Sequence, residues 1–170
     1  MRTRTRHAFT LVELVIVVTV TGILAATAIP ALSSWSASSE HAARRELSRV
    51  LSFARSNAIA TSRPTGVGFS ADGRTLSLVW TASPGAAPEP LPDLFGMPTA
   101  PLTLGAGLGA LEMNAVLGDG ASGECTLWFG HEGTPRSSHL SSATVWTSDA
   151  RITLGADSTI TVRRGTGVIE

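Results

Sequence analysis

The sequence predicts an α+β protein, with one long N-terminal helix packed on a mainly antiparallel β-sheet domain. Three observations predict it. An apolar run from Phe9 to Ile29 is interrupted by a single charge, Glu13. Helical spacing resumes after Pro30 and lasts into the early sixties. Beyond Pro64 the chain is a succession of short β-prone runs parted by Gly, Asp and Pro. Strands that follow one helix, rather than alternating with helices, build an α+β domain.

The chain opens on a basic head, Arg2, Arg4 and Arg6, ahead of the apolar run. As a helix, Phe9–Ile29 would span about 31 Å, the hydrocarbon thickness of a bilayer, so residues 9–30 are expected to insert in a membrane. The arginines should hold the N-terminus in the cytoplasm and send the rest of the chain across as a single pass. Glu13 is the oddity, since a charge in an apolar span costs about 2.5–3.5 kcal/mol. An ordinary secretory signal is the competing reading, and Ala26-Thr27-Ala28 fits its cleavage rule, but a carboxylate inside the apolar region argues against it. Pro30 removes one helix donor and should kink the helix rather than end it. Ala43, Leu47, Val50, Leu51, Ala54 and Ala58 then recur at spacings of three and four, with Arg44, Arg45, Arg49 and Arg55 between them. Residues 31–63 are therefore an amphipathic continuation that ends near Arg63, because Pro64 disfavours helical geometry before it.

Residues 64–170 are expected to form the β-rich domain. Thr65–Phe69 and Arg74–Trp80 flank Ser70-Ala71-Asp72-Gly73, a hairpin signal. Six of the nine prolines fall in 81–101, which excludes an internal strand and predicts an exposed, irregular loop. Ala110–Leu117 and Glu124–Phe129 read as strands flanking the turn Gly118-Asp119-Gly120. Ala143–Thr147, Arg151–Leu154 and Thr159–Arg163 follow, the last two joined by residues 155–158. Alternation of Ile152 and Leu154, then Ile160 and Val162, with polar residues indicates sheets with one buried face.

At 170 residues the chain suits one modest domain plus the helix. Its 13 basic residues, all Arg, balance 13 acidic ones. Without residues 1–8, 10 basic residues face 13 acidic ones, a net of −3, which does not favour nucleic acid. Cys125 is the only cysteine, so no disulfide forms within one chain, and its neighbours suggest a small buried hydrophobe. His131, Glu132 and His139 do not have the four-residue histidine spacing of the helical zinc signature. No Gly-x-Ser-x-Gly elbow occurs, and no phosphate-cradling loop with a lysine is possible without lysine. No enzymatic activity, metal or cofactor is expected.

The order of basic head, small residue, Phe9-Thr10-Leu11-Val12-Glu13 and apolar run resembles the class III signal of type IV pilins and type II secretion pseudopilins. The resemblance implies that a prepilin peptidase cuts between Ala8 and Phe9, removes residues 1–8 as a leader and methylates the new amine of Phe9. Ala8 stands where the family normally has Gly. Gly22 and Pro30 sit where its members often have those residues. The resemblance further implies that Glu13 pairs with the amine of Phe9 on a neighbouring subunit, which would offset the cost of desolvating it. In the C-terminal half, Trp128-Phe129-x-x-x-Gly133, the Ile152–Val162 hairpin and Gly165-x-Gly167-Val168 look like the GspH/FimT branch of minor pilins and minor pseudopilins. The implied function is a structural subunit that helps initiate or cap a type IV pilus or type II secretion pseudopilus. Its implied partners are the peptidase, other major and minor pilins or pseudopilins, the inner-membrane assembly platform and, before assembly, the lipid bilayer. DNA capture during uptake is the alternative; Arg163 and Arg164 are its candidate contacts, with Asp157 and Glu170 close by in sequence opposing it.

Overall fold

Helix α1, Leu11–Thr61, passes through Pro30 without ending. In the computed structural model the described residues are 10–83, 85–93, 95–104, 112–140, 146–155 and 158–170, with the side chains of 27–37 outside that set. The kink expected near Pro30 involves those side chains. Residues 143–145 of the expected strand Ala143–Thr147 and residues 110–111 of the expected strand Ala110–Leu117 also lie outside the described residues, while Trp146 and Thr147 are described and belong to no strand. The chain divides into two units, residues 1–38 and 39–170.

In the second unit α1 buries the stripe its spacing announces: Ala43, Leu47, Val50, Leu51, Ala54 and Ala58 are all in the core. The helix stops for identifiable reasons. Ser62 adopts φ 55°, the left-handed conformation that follows a helix C-cap, and Thr61 Oγ1 donates to the Asn57 carbonyl at 2.7 Å. Pro64 follows two residues later.

Two antiparallel sheets face this stripe. Strands β1, Thr65–Phe69, and β2, Thr75–Trp80, form the expected hairpin, with Phe69 opposite Leu76 and Thr65 opposite Trp80. Asp72 Oδ1 accepts the Arg74 N–H at 2.9 Å, and Gly73 takes φ 64° to close the turn. Short strands β3, Glu89–Pro90, and β4, Leu102–Thr103, pair with the outer edge of β2. The proline-rich segment is therefore irregular yet anchored at a sheet edge, where proline is tolerated, and it buries Leu91.

Strand β5, Met113–Val116, does not pair with β6, Cys125–Phe129, although the two flank one turn. β6 lies antiparallel beside β1, and β7, Pro135–Arg136, beside β6, giving the order β3-β2-β1-β6-β7. β5 joins β8, Ala150–Leu154, and β9, Ser158–Val162, in a second sheet of order β5-β8-β9. The turn itself exists, since the Leu117 N–H donates to the Ala121 carbonyl at 2.8 Å, but it serves as a crossover between sheets. The hairpin turn of the first sheet ties to the second: the Met113 N–H donates to Gly73 O at 2.6 Å and Arg74 pairs with Glu112 at 3.2 Å. Val67, Phe69, Leu127 and Phe129 from one sheet, Met113, Ala115, Ile152, Leu154, Ile160 and Val162 from the other, and the helical stripe make one core. The outer edge of β9 is covered by the C-terminus, where the N–H groups of Thr161 and Glu170 each donate to the other's carbonyl at 3.0 Å.

Candidate functional site

The largest exposed apolar surface among the described residues is the first part of α1. Leu11, Val12, Leu14, Val15, Ile16, Val17, Val18, Val20, Ile23 and Leu24 are all exposed, from 79% at Leu11 to 50% at Val15. A soluble monomer rarely presents so large a contiguous patch, so this surface is made for lipid or for other protein. Its threonines do not spoil it. Thr19 Oγ1 donates to the carbonyls of Val15 and Ile16 at 2.9 Å, and Thr21 Oγ1 to that of Val17 at 2.7 Å, so their hydroxyls are satisfied by the helix and their methyls face outward. A Cβ at Gly22 would meet nothing within 4 Å, so nothing in the described part of the chain requires glycine there.

Glu13 sits in the first turn of α1, where its charge suits the helix dipole. Its N–H donates to Thr10 Oγ1 at 3.3 Å, which makes Thr10 the N-cap. Thr10-x-x-Glu13 has the spacing of a capping box, a signal readable in the sequence. Ala8 and Phe9, the expected cleavage pair, lie outside the described residues. Among the described residues no helix is long and apolar enough to cross a membrane. Phe9 and the side chains of 27–30, which the expected span includes, lie outside them.

The sequence left the two glycine motifs of the C-terminal half unconnected, and the fold brings them together under Arg55. Its Nε donates to Gly133 O at 3.2 Å and its terminal nitrogen to Thr166 O at 2.9 Å. A Cβ at Gly167 would collide with the Gly133 carbonyl oxygen, and one at Gly133 would press on Ile59 Cδ1 at 2.8 Å. Both glycines also have positive φ.

Arg163 and Arg164 are adjacent but already engaged. Arg163 pairs with Glu170 at 2.9 Å and Asp149 at 3.3 Å, which raises its pKa, Glu170 contributing most. The Arg164 N–H donates to Asp149 Oδ1 at 2.9 Å, its guanidinium is held by the Thr147 carbonyl, and that N–H is the main cause of Asp149's lowered pKa. A phosphate at this pair would have to compete with both carboxylates. Asp157 lies outside the described residues.

His131 and His139 do not converge on a ligand. His131 Nε2 lies 3.2 Å from Glu132, whose carboxylate is held by Arg136 and by Thr134 at 3.0 Å, whereas His139 packs against Trp128 with ring centroids 5.1 Å apart and the rings tilted by 52°. Among the described residues no group of three His, Cys, Asp or Glu side chains could hold a metal ion. Cys125 is half-buried at the core's margin, and burial pushes its thiol pKa up.

Residues 3–29 match the family described as the prokaryotic N-terminal methylation motif. No curated protein sequence matches the chain. The fold is similar to the minor pseudopilin EpsH from the Type 2 Secretion System of Vibrio cholerae, at TM-score 0.55 and 14% identity over 78% of this chain and 94% of that one. A second EpsH structure gives TM-score 0.53 and 15% identity over 78% and 95%. The type IV minor pilin FimU of Pseudomonas aeruginosa gives 0.49 and 19% over 76% and 90%. The chain thus joins a prokaryotic N-terminal methylation motif, at the head of an exposed apolar helix, to a helix-on-sheets fold similar to that of the minor pseudopilin EpsH.

Proposed function

We propose that the chain is a minor pilin or minor pseudopilin of the GspH/FimT kind that helps initiate or cap a type IV pilus or a type II secretion pseudopilus. Prepilin peptidase cuts between Ala8 and Phe9 and the new amine is methylated; the methylation motif over residues 3–29 spans that bond. Before assembly the chain sits in the bacterial inner membrane with Arg2, Arg4 and Arg6 in the cytoplasm and residues 39–170 in the periplasm. Assembly moves the apolar face of Leu11–Leu24 from lipid to other pilin-type helices, with close packing the main gain. Gly22, which nothing described in its own chain requires, is available for such a close approach, and Pro30 shapes the same segment. The observation that carries this reading is the exposed apolar surface from Leu11 to Leu24, broken only by the carboxylate of Glu13 in its first turn.

Glu13 has two roles to separate, a cap for its own helix and a charge partner for Phe9 of a neighbour. Glutamine serves a capping box as glutamate does but carries no charge. The charge role predicts that Glu13→Gln and Glu13→Ala both remain membrane-inserted, are cut at Ala8, and fail to enter filaments. Mass spectrometry of the mature N-terminus and immunoblots of sheared filaments measure these outcomes. Normal incorporation of Glu13→Gln would leave only the cap, and a mature chain beginning at Ile29 would overturn the whole reading.

A further inference from the structure

Residues 165–170 close over the outer edge of β9 and are held there by very little apolar surface. The Thr161 and Glu170 N–H groups each donate to the other's carbonyl at 3.0 Å, the Arg163 N–H donates to Val168 O at 2.9 Å, and Val162 and Ile169 form a bridge. Gly167, at φ 65°, turns the segment back, its N–H donating to Arg163 O at 2.8 Å. Of these residues only Gly167 is buried, and Ile169 alone lends an apolar side chain to the margin of the core. The strand beneath is the reverse case, with Ile160 and Val162 fully buried.

What the segment lacks in burial it has in arginine contacts. Arg163 reaches Glu170 at 2.9 Å, and Arg55 of the helix donates to Thr166 O at 2.9 Å. The base of the segment is anchored separately, since Asp149 takes the Arg163 guanidinium at 3.3 Å and the Arg164 N–H at 2.9 Å. Between base and segment stands Gly165, where a Cβ would meet nothing within 4 Å. Glycine leaves the backbone free to pivot there. Few buried apolar contacts and many solvent-exposed hydrogen bonds mark a part of a protein that opens on its own. The strand it covers, Ser158–Val162, has no charge, proline or glycine and is mostly β-branched. An uncovered edge of that composition is a hazard, which a covering segment removes.

We infer that residues 165–170 are a latched strap over the β9 edge, swinging about Gly165 while the rest of the second unit stays folded, with Arg163 and Arg55 as its two latches. Arg163 holds the far end of the strap from the end of β9. Arg55 holds the near end from the helix, and the same guanidinium bonds Gly133 O at 3.2 Å, so closure of the strap is tied to the helix and to the first sheet. Both contacts are exposed to solvent, so each shifts the opening equilibrium a few-fold rather than by orders of magnitude. Opening leaves the bonds between β8 and β9 intact, because they run along the other side of the strand.

Hydrogen exchange of the detergent-solubilised full-length chain, resolved to single amides by electron-transfer fragmentation, tests this within one strand. The Thr161 and Arg163 N–H groups are bonded to the strap, whereas alternation turns those of Ile160 and Val162 toward β8. Thr161 and Arg163 should exchange at least about tenfold faster than Ile160 and Val162, because the strap opens at lower cost than the sheet. Urea below the unfolding transition should speed Ile160 and Val162 steeply and Thr161 hardly at all, since opening the strap exposes little surface. Glu170→Gln, which removes a charge and leaves the backbone as it is, and Arg55→Gln should each speed exchange at Thr161 a few-fold without urea. Thr161 matching Ile160 in both rate and urea dependence overturns the strap, and Thr161 unmoved in both variants overturns the latches. Because the readout concerns residues 160–163, it is independent of the cut at Ala8 and the role of Glu13.

Discussion

Arg55 is the residue whose work is least visible in the sequence and most visible in the fold. It lies on the helix between core positions, where the pattern marks it as one more polar spacer, yet it bonds Gly133 O and Thr166 O, which are 78 and 111 positions away. Replacing it leaves two carbonyls without a charged donor, at about 1–3 kcal/mol. Arg55→Ala should therefore lower the urea midpoint of the detergent-solubilised chain. Gly167→Ala should cost at least about 2 kcal/mol, from a left-handed conformation and a collision with the Gly133 carbonyl. The double variant should lose less than the sum, since both changes open one contact. Additive losses would show the two sites to be independent. Glu13 is the opposite case. Its singularity was legible from the apolar run and its place three residues after Thr10 from the sequence, and the backbone adds the bond itself, with Thr10 Oγ1 accepting its N–H.

At the level of elements, periodicity was a sound guide wherever one face is buried. The stripe from Ala43 to Ala58 and the alternation of Ile152, Leu154, Ile160 and Val162 are all buried. The β1–β2 hairpin follows from its Asp-Gly turn, because few other pairs close so tight a loop. Helix α1 carries a small flaw at its end, for Ser62 takes the left-handed conformation without being glycine. Relief of about 1–2 kcal/mol of backbone strain, less the extra chain entropy glycine brings when unfolded, leaves Ser62→Gly more stable by about 0.5–1 kcal/mol. Thermal unfolding by circular dichroism would show it as a raised Tm; an unchanged or lower Tm would mean that Ser62 has a compensating role. The proline-rich stretch was legible as irregular, but its edge pairing through Glu89–Pro90 was not, because two-residue strands have no period to detect.

For the molecule as a whole, charge links stability to pH. Glu46, Glu132 and Asp149 are held below their ordinary values, chiefly by Arg49, Arg136 and the Arg164 N–H respectively. A depressed folded-state pKa contributes stability that is complete above the unfolded value and is lost as pH falls through the folded one. Those unfolded values are near 4.5 for the glutamates and 3.8 for the aspartate. The Tm should hold steady from neutral pH to about 5, then fall, with a shallower acid limb in Asp149→Asn. A Tm that rises on acidification would contradict the sign. These groups are exposed, so solvent screening keeps each contribution small.

Local chemistry made the opening helix, its lone carboxylate, the methylation motif and the α+β class readable from the chain by itself, since each depends on neighbours within a few residues. Tertiary structure decided the rest. It sent β5 and β6 to different sheets despite the turn between them, because β1 offered β6 a long buried partner from Thr65 opposite Phe129 to Phe69 opposite Cys125. It set Gly133 against Gly167 beneath Arg55, and it laid residues 168–170 along an edge of β9 that the intervening sequence does not announce. Pairing between distant segments is chosen by which combination buries the most apolar surface with every backbone group bonded, and that sum exists only once the chain has folded.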